Sequence, residues 1–110
     1  MEELLIVEVT CPDAEVAARI GRDCVGSGLA ACANILPGVT SVFRWEGAVQ
    51  TEPEVILLMK TRAGRFDALC TRVAAGHPYE VPAILALPVA AASPEFARWV
   101  RDETGGGDAP

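Results

Sequence analysis

Ala31-Cys32-Ala33-Asn34-Ile35-Leu36-Pro37-Gly38-Val39-Thr40-Ser41-Val42-Phe43-Arg44-Trp45-Glu46-Gly47 decides the fold of this chain. It reads as one long extended run, broken once at Pro37-Gly38 and closed by a Glu46-Gly47 turn. A strand of that length needs a partner for its backbone donors and acceptors. Val55-Ile56-Leu57-Leu58-Met59, eight residues beyond Gly47, supplies it. That run shows no polar alternation, so both of its faces are expected to be covered. A small domain covers one face with its own helices and leaves the other to a second subunit. Function is therefore expected to depend on an assembly. Pro37 cannot donate to a ladder, which places its strand at an edge or at a bulge. Past that point Val39, Ser41, Phe43 and Trp45 share one face, and Thr40, Val42 and Arg44 the other.

Upstream, Leu4–Val9 is a short aliphatic strand. Thr10-Cys11-Pro12-Asp13 ends it and starts a helix, with Thr10 and Asp13 at capping-box spacing. Val16, Ala17, Ile20 and Cys24 make one helical face, which Gly26 and Gly28 terminate. Downstream, Phe66, Leu69, Cys70 and Val73 fit the i, i+3, i+4, i+7 spacing of a second helix, ended by Gly76. His77-Pro78-Tyr79-Glu80-Val81-Pro82 is a proline-pinned connection to a fourth strand at Ala83–Leu87. Ser93-Pro94-Glu95 opens a third helix with Phe96, Trp99 and Val100 as its apolar stripe. The order β-α-β-β-α-β plus a terminal helix is the α+β, ferredoxin-like plan: one antiparallel sheet, usual order 4-1-3-2, with two helices on one face. Residues 1–104 are read as one domain and 105–110 as a disordered tail. In this topology the end of the first strand, the hairpin tip and the start of the fourth strand lie at one end of the sheet. Cys11, Trp45-Glu46 and the His77–Glu80 loop are expected to meet there.

The chain has 110 residues and a formal net charge of −6, which argues against a nucleic-acid footprint. No stretch reaches the roughly twenty apolar residues of a membrane span. The acidic start Met1-Glu2-Glu3 lacks the basic region of a secretory signal. Cys11, Cys24, Cys32 and Cys70 contain no C-x-x-C pair. A reducing cytoplasm is the expected compartment.

The residues Ala31–Gly38, Ser41-Val42, Trp45-Glu46-Gly47, Glu54-Val55, Lys60-Thr61, His77–Pro82 and Ala86-Leu87-Pro88-Val89 together resemble the CutA family, linked to divalent-cation tolerance. The resemblance runs from about Leu4 to Val100 and implies a compact homotrimer built on long hairpins, similar in architecture to the PII signalling proteins. It also implies binding of copper or another divalent metal, but no established enzymatic activity. The chain departs from the family at Ala83, where glutamate is common. It also has a single histidine, preceded by Gly76, where one branch of the family has adjacent histidines.

His77 and Cys11 are the candidate metal ligands, since imidazole with thiolate suits Cu(I) or Zn(II). Cys11 is expected at a helix start, whose amides favour the thiolate. A carbonyl-bonded loop histidine and a gap-filling cysteine are the plainer readings. Lys60, Tyr79, Glu80 and Trp45 are candidates for an intersubunit cleft, and Glu46 and Glu52 read as solvated carboxylates. No cofactor is required for folding. There is no Gly-rich phosphate loop, and nothing in the sequence orients a Cys–His nucleophile pair. The sequence thus points to a non-enzymatic homotrimer that binds divalent metal, with no nucleic-acid or membrane partner. The alternative is a PII-like regulatory module holding a small anion or a partner protein in its intersubunit clefts.

Overall fold

The computed structural model describes residues 2–105. The elements are β1 (Leu4–Cys11), α1 (Ala14–Gly26), β2 (Cys32–Trp45), β3 (Ala48–Arg62), α2 (Phe66–Gly76), β4 (Ile84–Pro88) and α3 (Pro94–Glu103). The four strands form one sheet in the order β2-β3-β1-β4, with every neighbouring pair antiparallel. The expected strand order holds, with Pro37 on an edge strand. The expected tail falls outside the described residues except for Gly105, which sits in a turn.

One face of the sheet carries the core. Leu5, Val7, Val9 and Cys11 of β1 and Val55, Leu57 and Met59 of β3 pack under Ala17, Ile20 and Cys24 of α1 and Leu69 and Val73 of α2. The helix–sheet approach is closest at Gly21, where a Cβ would stand 3.1 Å from Ala33 Cβ and 3.3 Å from Leu57 Cδ1. Thr61, second from the end of β3, is fully buried, and its hydroxyl donates to the Leu29 carbonyl at 2.7 Å.

The other face is open in the single chain. Ile56 and Leu58 are half-buried there, while Leu36, Leu85 and Leu87 are exposed. The unbroken apolar run of β3 thus has one covered side and one that its own chain does not cover. β3 is also longer than its apolar run. From Val39↔Glu54 to Trp45↔Ala48 it pairs with β2 alone, because the β1–β3 ladder ends at Cys11↔Val55. This two-stranded arm projects past the sheet and gives the molecule its 47 Å long axis. Glu46 (φ 50°) and Gly47 (φ 81°) close it, both in the left-handed region that a two-residue hairpin turn of the primed type requires.

Two local expectations are corrected. The cap of α1 is Asp13 rather than Thr10: its carboxylate accepts from the Val16 amide at 2.8 Å, and Thr10 remains in β1. In α3 the buried residues are Ala97 and Val100, whereas Phe96 and Trp99 are each 42% exposed and tilt against one another at 5.7 Å. A ten-residue helix on the rim of a small sheet has room to bury only part of its apolar face.

Candidate functional site: a carboxylate and aromatic groove beside the arm

The bulge at Pro37-Gly38 builds the site. Before it Cys32, Asn34 and Leu36 pair with Lys60, Leu58 and Ile56; after it Val39, Ser41, Phe43 and Trp45 pair with Glu54, Glu52, Gln50 and Ala48. Residues paired across a ladder share a face. One extra residue in β2 therefore transfers the odd-numbered side chains to the open side of the sheet. Phe43, opposite Gln50, and Trp45, opposite Ala48, stand on the same side as Glu52 and Glu54.

The loop after α2 closes the other side. His77 is 8% exposed and both of its ring nitrogens are engaged. Nδ1 accepts the Tyr79 amide at 3.1 Å, so Nε2 carries the proton and donates to the Thr10 carbonyl at 2.8 Å. The ring is thereby set against that of Tyr79, with centroids 4.8 Å apart. The Tyr79 hydroxyl then donates to Glu54 Oε2 at 2.6 Å. Burial, this hydrogen bond and the nearby carboxylate charges push the Tyr79 phenol well above its ordinary 10.0, so it stays a donor. The groove enclosed between arm and loop has a volume of about 1120 Å³. Phe43, Trp45, Glu52, Glu54, Tyr79 and Glu80 line it, and neither lysine nor arginine does.

Of the four cleft candidates the structure brings together Trp45, Tyr79 and Glu80. Lys60 is six residues from Glu54 along β3, about 20 Å away at strand spacing. It hydrogen-bonds Asn34 Oδ1 and lines a separate apolar recess with Leu4, Ile6 and Phe96. Glu54 and Phe43 belong to the groove although neither stood out as a site residue in the sequence. Their shared face was legible only by counting through the bulge. Glu52 is exposed, as expected, yet also lines the groove.

Cys11 corrects the thiolate expectation. It is the last residue of β1, fully buried in the core, and Asp13 rather than Cys11 stands at the helix start. Burial first, then the charges of Asp13 and Glu54, push its thiol up to about 11. A protonated, buried thiol and an imidazole with both nitrogens occupied do not fit a soft metal within one chain. Among the described residues, moreover, no three His, Cys, Asp or Glu side chains gather closely enough to hold a metal ion.

A sequence profile described as "CutA1 divalent ion tolerance protein" matches residues 5–103. The chain belongs to the CutA1 divalent-ion tolerance family. It is 47% identical over 105 residues to the divalent-cation tolerance protein CutA of Thermus thermophilus, covering 96% of this chain and all of that one. The crystal structure of CutA from Xylella fastidiosa is similar at a TM-score of 0.89, with 40% identity over 92% of this chain and 97% of that one. The structure of the periplasmic divalent cation tolerance protein CutA from Archaeoglobus fulgidus is similar at a TM-score of 0.89, with 34% identity over 92% of this chain and 98% of that one. This CutA1 fold, with its helix-covered sheet and long arm, is what carries the groove.

Proposed function

We propose that the chain works as a non-enzymatic homotrimer of ferredoxin-like subunits in divalent-cation tolerance, meeting copper or another divalent metal. The observation that carries the assembly is the open sheet face, where Leu36, Ile56, Leu58, Leu85 and Leu87 face solvent in the lone chain. A contiguous apolar patch of that kind is a contact surface. The exposed arm residues Phe43 and Trp45, on the same side, extend it. Family membership supports the cation role. Since one chain gathers no metal cluster among its described residues, the metal donors are proposed to come together only between copies. His77, expected with Cys11 from the sequence, is the soft donor to test, since Cys11 is sealed in the core away from a second copy. Four free thiols support a reducing, cytoplasmic setting. Among the described residues no helix is long and apolar enough to cross a membrane.

Light scattering combined with calorimetric titration of Cu(II) and Zn(II) tests the reading. The expected result is a mass of three chains and saturable metal binding that His77→Ala weakens. A single-chain mass at micromolar concentration overturns the assembly, and absence of stoichiometric metal binding overturns the metal role. The anionic-metabolite alternative has no support in the groove, whose lining holds three carboxylates and no cationic side chain.

A further inference from the structure

Given the assembly proposed above, on which this reading rests, we infer that the hairpin tip of one copy seats in the recess beside α3 of the next. Trp45 fills the recess and Glu46 meets Lys60 at its rim. The recess lies between the start of β1, the chain after β4 and α3, with Leu4, Ile6, Val89, Phe96 and Val100 on its walls. Its volume is about 270 Å³, below the roughly 300–1,000 Å³ of a small-molecule pocket and suited to one large side chain. Lys60 is the cation on its lining, and no carboxylate lines it. Ile6 and Lys60 are partners across the ladder and point to the open side of the sheet, the side on which Trp45 stands.

The occupant cannot come from the same chain. Lys60 and Ala48, the residue paired with Trp45, are twelve residues apart on one continuous strand, about 40 Å at strand spacing. Two features of the tip match the recess of another copy. The Trp45 ring is more than half exposed, so it has a large apolar surface left to bury. Glu46 follows it in the turn and is exposed. Lys60 is the only lysine of the chain. Its ammonium donates to Asn34 Oδ1 and makes no ion pair among the described residues, which leaves two of its three donors to be met. Arg62, the other cation that the strands place on this side, is turned onto Glu2 and the Thr104 carbonyl. An acid at the tip and a cation at the recess fix which surfaces meet and in which direction. Tip and recess are different surfaces, so the contact is head-to-tail. Each copy inserts one tip and receives one, and three copies close a ring.

Charge exchange tests the contact, read by sedimentation velocity of the full chain over a dilution series in the urea concentration that half-dissociates the wild type. Lys60→Glu and Glu46→Lys are each expected to weaken association about tenfold. The double variant is expected to recover close to wild type, which a merely structural role of Lys60 would not produce. Ala92→Phe fills the recess from an exposed position and should weaken association with the circular dichroism unchanged. In a Trp99→Phe background Trp45 is the only tryptophan, and its emission should move to the red as the assembly dissociates. Wild-type association in both charge variants and in Ala92→Phe overturns the contact and leaves the assembly standing; the recess would then take another segment of the neighbouring copy. Weakened single variants without recovery in the double overturn the pairing of Glu46 with Lys60. A wild type that sediments as single chains at micromolar concentration without urea overturns the assembly itself, and this contact with it.

Discussion

The hydroxyl of Tyr79 meets Glu54 Oε2 at 2.6 Å, joining the loop after α2 to the root of the arm. His77 sets up this contact: its Nδ1 orders the Tyr79 amide and its Nε2 ties the loop to the end of β1. Removing the hydroxyl leaves the Glu54 carboxylate without the one hydrogen bond it makes among the described residues. Tyr79→Phe is expected to cost about 1.5 kcal/mol, the lower end for a bond to a charged group because Tyr79 is 37% exposed. Thermal denaturation measures it, and a variant as stable as wild type would mean that water replaces the phenol without loss.

The bulge at Pro37-Gly38 places two residues of β2 opposite Val55 alone, between Leu36↔Ile56 and Val39↔Glu54. Gly38 has φ 79°, a conformation open to glycine and strained for other residues. A Cβ there would meet nothing, so the backbone conformation alone sets the cost. Gly38→Val is expected to destabilise the chain by about 1–2 kcal/mol while leaving the helix-covered core intact. Thermal denaturation measures the loss, and a variant as stable as wild type would mean that the bulge relaxes without cost.

Much of this was legible in the sequence because period and punctuation carry it. Pro37 declared the edge strand, Glu46-Gly47 the turn, and the spacing of Phe66, Leu69 and Val73 the second helix. The meeting of Trp45 with the His77–Glu80 loop followed from topology alone. What was not legible depends on atoms rather than pattern. Cys11 was placed at the helix start because Thr10 and Asp13 both fit a cap; the structure chooses Asp13 and leaves Cys11 in the core. Glu54 looked like any strand carboxylate until its burial and its Tyr79 partner were seen. Lys60 could not be separated from the groove without knowing its place along β3.

Gly21 lies inside α1, where glycine ordinarily costs helix stability, so a larger residue would be favoured by propensity. Space opposes it. The Ala33 Cβ at 3.1 Å is fixed to the backbone and cannot turn aside, although Leu57 Cδ1 at 3.3 Å can rotate. Gly21→Val adds bulk beyond that first carbon and is expected to destabilise by about 1–3 kcal/mol through overpacking. Denaturant titration gives the value, and a neutral result would mean that α1 can lift off the sheet without loss.

Stability should also fall in alkali. Burial pushes the Cys11 and Cys24 thiols from 9.0 up to about 11. Between those limits the unfolded chain has lost thiol protons that the folded chain still binds. Raising pH therefore favours unfolding, by at most about 1.4 kcal/mol per pH unit for each thiol. The effect is absent below pH 9 and complete above about 11. Cys24→Ala should lessen the slope in that window, which pH-resolved denaturant melts can read. A flat profile would show that both thiols ionise as readily folded as unfolded.

Leu58 and Trp45 probe the assembly at two distances from the core. Leu58 is half-buried at the centre of the open face, across the ladder from Glu8 and Asn34, and its side chain is not part of the helix-covered core. Leu58→Glu should therefore leave the monomer folded while placing a charge where a neighbouring copy would have to desolvate it. Trp45, 53% exposed on the arm, can be lost without a cavity in the lone chain, and Trp45→Ala should weaken association through a lost aromatic anchor. Sedimentation velocity at several concentrations separates these effects. Leu58→Glu is expected to sediment as single chains, and Trp45→Ala to dissociate on dilution at higher concentration than wild type. If Leu58→Glu keeps the wild-type mass, the open face is not the contact surface, and the subunits must meet through the arm alone.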